Sequence, residues 1–154
     1  MRSGPEPFDS RDVQALVRAQ QQELRGRDGA GDIGPTREAW MFEPPDGVFL
    51  VSRSEGRAVG CGGICRFDET RAELKRMYVA PAERGVGRGR ELLEALEAEA
   101  RRFGYSGIVL ETGELQPESL GLYASAGYQP IPCYGVYAAR AWSRCFEKAL
   151  QSLR

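Results

Sequence analysis

The sequence contains no histidine among its 154 residues. This absence excludes Ser-His-Asp and Cys-His catalysis, and it excludes every metal site that depends on an imidazole ligand. The four cysteines, at positions 61, 65, 133 and 145, form no CxxC pair. We therefore expect no metal site, and we interpret the cysteines as small buried thiols of a reducing compartment rather than as zinc ligands or disulfide partners.

A charge excess of one sign and a long hydrophobic run are also absent. The chain has 21 basic and 22 acidic residues, so it offers no broad basic field to a nucleic acid or an anionic membrane. No apolar run approaches the roughly 18 residues of a membrane span, and the first residues, MRSGPEPFDS, lack the apolar centre of a signal peptide. We expect a soluble, cytoplasmic protein without nucleic-acid or membrane partners.

The composition is that of an ordinary folded domain. Hydrophobic residues make up 42% of the chain and charged residues 28%, which fits neither a disordered segment nor a coiled coil. A chain of this length can bury roughly two thirds of its unfolded surface in one core. Without an internal repeat or linker in the sequence, we predict one domain over residues 1–154.

The spacing of apolar residues indicates alternating helices and strands. A helix is predicted after a cap at Asp9 or Ser10, with a stripe from Val13 to Leu24. A glycine-rich loop (26–34) follows, and then a short helix from Pro35 to about Phe42, stopped by Pro44 and Pro45. Further along, the predicted strands are 48–51, 57–67, 72–79, 108–110, 128–131 and 141–150, and the predicted helices run from about 86 to 104 and from 117 to 127. These elements predict an α/β domain with a mixed sheet, which begins with an antiparallel meander.

One turn carries most of the functional information. It follows the third strand of the meander, leads into the longest helix, and contains Gly85, Gly87 and Gly89 between three arginines, at 84, 88 and 90. Glycines allow a ligand close to the backbone, and the free N–H groups at the start of a helix bind anions such as phosphate. Because Gly-Lys-Ser/Thr is absent and the turn follows a meander, it is neither a Walker P-loop nor a dinucleotide-binding turn.

These residues resemble the GNAT superfamily of acyl-CoA-dependent N-acetyltransferases. Arg84-Gly-Val-Gly87-Arg-Gly89 fits the signature Q/R-x-x-G-x-G/A, and MYVAP, LETG and LYASAGY occur around it in the order that the family has. The resemblance extends from about Val48 to Leu150. It implies the acyl-CoA N-acyltransferase fold, in which helices flank a mostly antiparallel sheet. The usual first strand would have to come from MRSGPEPF, a poor strand sequence, so we expect that edge to be short or irregular.

The resemblance also implies a co-substrate, acetyl-CoA, and the residues that bind it. Main-chain groups of the strand before the signature would pair with the pantetheine arm, and backbone N–H groups of the turn would hold the pyrophosphate. Gln116 and Ser119 match further cofactor-binding positions, although the family more often has Asn and Ala there. The complete predicted set is Met77, Tyr78, Val79, Arg84, Gly85, Val86, Gly87, Arg88, Gly89, Arg90, Gln116, Ser119 and Tyr123.

For catalysis, the resemblance assigns Tyr123 as the general acid that protonates the departing thiolate. Without histidine, the base that deprotonates the amine must be a carboxylate, a water relay or solvent. Glu73 is our first prediction, acting through water, and Glu111 is the second, with binding of a substrate ammonium as its other role. The backbone N–H of Val79 is predicted to stabilise the negative charge on the acyl oxygen.

The acceptor is predicted to be a small molecule with a primary amine. The resemblance implies a site formed by residues around 26–45 and 132–142, and these segments, with the adjoining Asp46, supply an aromatic wall and a group of carboxylates. The aromatic residues are Trp40, Phe42, Tyr134, Tyr137 and Trp142, and the acidic residues are Asp28, Asp32, Glu38, Glu43 and Asp46. A protein or peptide acetyltransferase and a non-catalytic CoA-binding module are the alternatives. Because many family members dimerise, a homodimer is expected from the resemblance alone.

Overall fold

The computed structural model describes residues 2–34 and 36–151. Its strands and helices are β1 Arg2–Pro5, α1 Arg11–Asp28, β2 Val48–Ser54, β3 Arg57–Arg66, β4 Arg71–Val79, α2 Arg88–Arg102, β5 Gly107–Gly113, α3 Pro117–Ser125, β6 Gln129–Ile131 and β7 Ser143–Ala149. Short 3₁₀ helices lie at Ala39–Phe42, Pro81–Glu83 and Gly135–Ala139.

The seven strands form one sheet in the order β1-β2-β3-β4-β5-β7-β6. The pair β4–β5 is parallel, and the other neighbouring pairs are antiparallel. The parallel pair follows from the sequence, because a parallel return needs a long crossover and α2 supplies it. The structure thus confirms the predicted mixed, mostly antiparallel sheet.

Helices α1 and α2 cover opposite faces of this sheet. Leu92, Leu93 and Leu96 of α2 are fully buried against one face, in a cluster that includes Leu50 of β2. Val13 of α1 is fully buried in a second cluster, which includes Phe49, the neighbour of Leu50. Consecutive strand residues point to opposite faces, so β2 contributes to both cores. Burial of each large side chain stabilises the fold by roughly 1.5–3 kcal/mol.

Two predictions for the first half need correction. Helix α1 passes the predicted loop start at Gly26 and ends at Gly29, whose left-handed backbone (φ 83°) is typical of a helix C-terminus. Of the helix predicted from Pro35 to Phe42, only the 3₁₀ turn Ala39–Phe42 forms, and Pro35 lies outside the described residues. The preceding Glu38 has an extended backbone, so no helix continues through it. Phe42 is buried in the core, where its ring contacts that of Phe49 at 5.3 Å between centroids.

The edge strand is short, as expected. Strand β1 has four residues and pairs antiparallel with β2, with Arg2 opposite Arg53 and Pro5 opposite Leu50. An ion pair between Glu6 and Arg53 (2.7 Å) fixes the chain just after the strand. The poor strand sequence is therefore held by its partner β2 rather than by its own propensity.

The cysteine prediction is wrong for one pair. Cys133 and Cys145 form a disulfide, with Cα atoms 5.0 Å apart. The register of β6 and β7 places Ile131 opposite Cys145, and this brings Cys133, two residues later, within bonding reach. Cys61 and Cys65 are buried free thiols, as expected, and burial raises their pKa values to about 12 and about 11.

Within residues 2–34 and 36–151, no helix is both long enough and apolar enough to cross a membrane.

Candidate functional site

Strands β4 and β5 run side by side for only three residue pairs, from Arg71–Gly107 to Glu73–Val109. Beyond Glu73, β4 continues to Val79 without a ladder to β5, so a gap opens between the strands. The N–H of Ala80 donates to Val59 on β3 (2.8 Å). Because main-chain groups alternate in direction along a strand, the N–H of Val79 points the other way, into the gap. Such an edge can bind an extended ligand by main-chain hydrogen bonds.

The glycine-rich turn lies at the end of this gap. Gly85 and Gly87 have left-handed backbones (φ 85° and 87°), which glycine adopts without strain. The first hydrogen bond of α2 runs from Glu91 N–H to Gly87 O, and the three preceding N–H groups, of residues 88–90, have no acceptor within the described parts of the chain. Free N–H groups and the positive end of the helix dipole fit a phosphate group.

Two arginines of the turn, Arg84 and Arg88, form ion pairs with carboxylates of the same chain. Arg84 Nε donates to the carbonyl of Val79 (2.8 Å), and its Nη2 donates to Glu23 of α1 (3.0 Å). Arg88 is paired with Glu83 at 2.9 Å. These contacts connect the turn to α1 and β4.

A cleft of about 340 Å³ extends from the turn along the gap, and we call it the main cleft. Twelve of the thirteen predicted cofactor-binding residues line it: Met77, Tyr78, Val79, Arg84, Gly85, Gly87, Arg88, Gly89, Arg90, Gln116, Ser119 and Tyr123. The thirteenth, Val86, exposes 67% of its surface and is not part of the lining. Helix α1 closes the other side with Gln20, which donates to the carbonyl of Met77 (2.8 Å).

Tyr123 lies where the main cleft meets a second cavity. Its side chain is 5% exposed and packs against Tyr128 and Phe146, with ring centroids 5.6 and 6.4 Å away. Its hydroxyl has no hydrogen-bond partner within residues 2–34 and 36–151. Burial raises the pKa of Tyr123, and the negative charge of Glu111 raises it further, so the phenol keeps its proton at neutral pH.

The second cavity, of about 70 Å³, is polar, and we call it the polar cavity. It shares Gln20, Leu24, Met77, Gln116, Ser119 and Tyr123 with the main cleft, and its lining includes six charged residues: Asp28, Asp32, Lys75, Arg76, Glu111 and Arg140. The two cavities therefore adjoin each other, and Tyr123 is among the residues that line both.

Asp32, which lines this cavity, forms ion pairs and hydrogen bonds with several neighbouring groups. Its Oδ2 is paired with Lys75 Nζ (2.7 Å) and with Arg76 Nη1, and its Oδ1 accepts from Tyr137 (2.6 Å) and from the N–H of Gly34 (2.7 Å). Burial by itself would raise the pKa of Asp32, but the charge and hydrogen bond of Lys75, together with Tyr137 and Gly34, hold it well below its usual range. Asp32 is therefore ionised at every physiological pH.

Glu111 has one occupied and one free carboxylate oxygen. Its Oε2 accepts from Arg140 Nη2 (2.7 Å) and Ser143 Oγ (2.8 Å). Its Oε1 has no hydrogen-bond partner in the described structure, and the residue lines the polar cavity. The free oxygen can accept a proton or a hydrogen bond from a bound group, while Arg140 and Ser143 keep the carboxylate in place.

Glu73 is placed differently from the sequence prediction of a base at the cleft. It is 4% exposed and lines neither cavity. Its Oε1 is paired with Arg37 (2.6 Å) and its Oε2 accepts from Tyr134 (2.9 Å), so both oxygens are engaged. Glu73 precedes Leu74 and Lys75, which line the polar cavity. Its two carboxylate oxygens, however, face Arg37 in the loop after α1 and Tyr134 just before the 3₁₀ helix Gly135–Ala139.

The predicted acceptor wall is only partly formed. Asp28 and Asp32 line the polar cavity, whereas Trp40 is 65% exposed and Phe42 belongs to the hydrophobic core. Tyr137 contacts Asp32 with its hydroxyl instead of offering an aromatic face to the cavity. None of the five predicted aromatic residues lines the cavity, whereas six charged residues do.

Sequence reasoning missed Lys75, Arg76 and Arg140, which line this cavity. The sequence does carry a signal that could have identified Lys75 as a site residue: it is one of only two lysines and lies at an inward position of a predicted strand. No such signal exists for Arg76, because in a regular strand its side chain would lie on the face opposite to that of Lys75. Arg140 lies in a turn-rich segment that carries no periodic pattern.

Comparison with known proteins agrees with this geometry. A model described as the acetyltransferase (GNAT) family matches residues 13–128. An IAA acetyltransferase of Azospirillum brasilense is 39% identical over 126 residues, which cover 78% of this chain and 82% of the relative.

Two solved structures share the fold. A proposed acyl-CoA N-acyltransferase of Klebsiella pneumoniae has a TM-score of 0.83 at 31% identity, with 97% of each chain covered. A GNAT family acetyltransferase of Elizabethkingia anophelis, solved with acetyl-CoA bound, has a TM-score of 0.70 at 15% identity, with 97% of each chain covered.

Proposed function

Because the chain belongs to the GNAT family of acetyltransferases, we propose that it transfers the acetyl group of acetyl-CoA to the primary amine of a small molecule. The observation that supports this most directly is the position of Tyr123, with an unpaired hydroxyl where the main cleft meets the polar cavity. A donor in one cavity and an amine in the other would meet at this hydroxyl.

The main cleft has the features that acetyl-CoA requires. The free N–H groups of residues 88–90 suit a pyrophosphate, and the gap between β4 and β5 suits the extended pantetheine arm. The carbonyls of Met77 and Val79 are already paired with Gln20 and Arg84, so an arm bound there shares or displaces these contacts. When bound, acetyl-CoA supplies an acetyl thioester that an amine can attack directly.

The side chains at the junction divide the proton transfers between them. Tyr123 holds a proton for the departing thiolate, and its raised pKa keeps the phenol protonated at neutral pH before the thioester reacts. Val79 N–H, which points into the gap, donates to the acyl oxygen. Glu111 Oε1 is the free carboxylate oxygen beside the junction, so we assign the role of base to Glu111 in preference to Glu73, the first prediction from sequence.

The assignment of the base is tested by two matched variants. We expect Glu111→Gln to lower kcat by about 10²–10⁴-fold, because the amine loses its proton acceptor. Glu73→Gln is expected to keep kcat and to reduce stability instead, because Arg37 stays buried without its partner. A loss of kcat in Glu73→Gln alone would establish Glu73 as the base, and no change in kcat in either variant would leave solvent or a water relay.

A small acceptor is favoured over a protein. The polar cavity holds about 70 Å³, and two of its lining residues, Gly31 of the loop after α1 and Arg140, are joined by a hydrogen bond from Arg140 Nη1 to the Gly31 carbonyl (3.0 Å). The relative from Azospirillum brasilense is named an IAA acetyltransferase, which also suggests a small-molecule acceptor. A cytoplasmic location, a single domain over residues 1–154 and a homodimer remain predictions.

The proposed function is tested by calorimetric titration followed by a transfer assay. We expect stoichiometric binding of acetyl-CoA and CoA, no binding of NADH or ATP, and release of CoA when amines are added. Polyamines, aminoglycosides, amino acids and lysine peptides form the acceptor panel. Binding without transfer to any acceptor would identify a CoA-binding module, transfer to peptides alone would identify a protein acetyltransferase, and binding of neither CoA species would refute the proposal.

A further inference from the structure

The polar cavity carries equal numbers of positive and negative groups. Its charged lining consists of three carboxylates and three cations, Asp28, Asp32 and Glu111 against Lys75, Arg76 and Arg140. A lining without net charge gives no electrostatic preference to a polycation or to a polyanion. It can favour a ligand that carries one charge of each sign, provided that the charges of the wall are separated in the matching way.

The wall formed by β4 has an excess of positive charge. Lys75 and Arg76 share the single oxygen Oδ2 of Asp32, so two cations face one carboxylate. Arg76 is 15% exposed at its side chain, and its Nε is buried without a hydrogen-bond partner in the described part of the chain. This wall therefore keeps one uncompensated positive charge and an unused donor, and both favour an anion.

The backbone of Arg76 is strained in a way that creates this wall. Consecutive strand residues normally point to opposite faces, yet Lys75 and Arg76 bind the same carboxylate. The ladder with β3 passes from Lys75–Gly63 directly to Cys61–Tyr78, and Arg76 has a left-handed backbone with φ 61°. An arginine at such a φ is unfavourable, and strained residues of this kind concentrate at binding sites.

The wall formed by β5 offers a negative oxygen. Arg140 and Ser143 bind Oε2 of Glu111 and leave Oε1 free, and the charge of Glu111 acts on Tyr123 at the junction. Asp28 also lines the cavity, but its Oδ1 accepts from the N–H groups of Ala30 and Gly31 and so serves the turn after α1. A substrate ammonium is thus best placed at Glu111, next to the reaction centre.

From these two walls, and resting on the proposed function, we infer that the acceptor is a small zwitterion of the α-amino acid type. Its ammonium binds Glu111 Oε1 and loses a proton there, and its carboxylate binds the guanidinium of Arg76 beside Lys75. The amine nitrogen then forms the new bond to the acetyl carbon, the thioester bond breaks, and CoA leaves with a proton from Tyr123. The proton that the nitrogen gives up on becoming an amide returns to the Tyr123 phenolate, and Glu111 releases its proton to solvent. The small volume of the cavity limits the side chain that such an acceptor can carry.

The test compares acceptors that differ only in the carboxylate. L-leucine, L-leucinamide and isopentylamine form one set, glycine, glycinamide and methylamine a second, and L-glutamate and spermidine complete the panel. With the wild-type protein and acetyl-CoA, we expect kcat/KM for the best acid to exceed that for its amide and amine by about 10- to 100-fold, the value of a charge-assisted hydrogen bond. Calorimetric titration of the same compounds into the CoA-loaded protein supplies a second readout.

Variants of Arg76 locate the carboxylate. Arg76→Gln is expected to raise KM for the acid about tenfold or more and to leave the amide unchanged, whereas Arg76→Lys keeps most of the preference. Arg76→Gly removes the guanidinium and the backbone strain together, so it tests the same loss in a chain that folds without that strain. Equal or faster reaction of amides, amines or spermidine would overturn the zwitterion inference and leave the proposed transfer intact. Acetyl-CoA binding without transfer to any amine would overturn both.

Discussion

Phenylalanine in place of Tyr123 is expected to lower kcat for amine acetylation by about 10²–10⁴-fold, the usual contribution of a general acid. The substitution removes one hydroxyl and keeps the ring, which packs against Tyr128 and Phe146. The main cleft is therefore preserved, and the dissociation constant for acetyl-CoA is expected to stay within about twofold of the wild-type value, since no charge-assisted contact is removed. Steady-state kinetics and calorimetry on the same preparation measure the two quantities.

Tyr128→Phe is the matched control for this prediction. The ring of Tyr128 lies beside that of Tyr123, but its hydroxyl donates to Glu97 (2.8 Å), a buried carboxylate that also binds Lys148. Its loss is expected to cost about 1–3 kcal/mol of unfolding free energy and to leave kcat unchanged, because the hydroxyl faces away from the main cleft. An unchanged kcat in Tyr123→Phe would remove Tyr123 from the chemistry and leave it a packing residue.

The parts of the site that the sequence predicts are those formed by residues that lie close together in the sequence. The glycines at 85 and 87 are required by the left-handed backbone of the turn, and their position before a helix indicates an anion site without knowledge of the fold. Tyr123 is found through the resemblance, because its motif lies on one short helix. In both cases the residues that act together are close in the sequence.

The polar cavity depends on contacts between distant segments, and the sequence did not predict it. Asp32 reaches Lys75 across more than 40 positions, and Arg140 reaches Glu111 across 29. The left-handed backbone at Arg76 breaks the alternation on which strand predictions depend. The disulfide between Cys133 and Cys145 was missed for the same reason, since the register of β6 and β7 decides which cysteine lies near which.

Asp32→Asn is expected to cause the largest loss of stability, about 3–5 kcal/mol of unfolding free energy at pH 7. The amide keeps the shape of the carboxylate but leaves Lys75 and Arg76 buried without a counter-ion, at side-chain exposures of 7% and 15%. Asp46→Asn is the matched control, because Asp46 pairs with Arg66 on the surface, where an ion pair contributes about 0–1 kcal/mol. Urea denaturation of both variants beside the wild type measures the difference.

The pH dependence separates this charge effect from a packing defect. Because the folded protein holds the pKa of Asp32 below its usual value of 3.8, the stabilisation by Asp32 is fully present above that value and is lost as the pH falls below it. The difference in unfolding free energy between wild type and Asp32→Asn is therefore expected to shrink steadily from about pH 4 to about pH 2. A difference that stays constant over this range would mean that the variant disturbs packing and that the carboxylate charge does not stabilise the cavity wall.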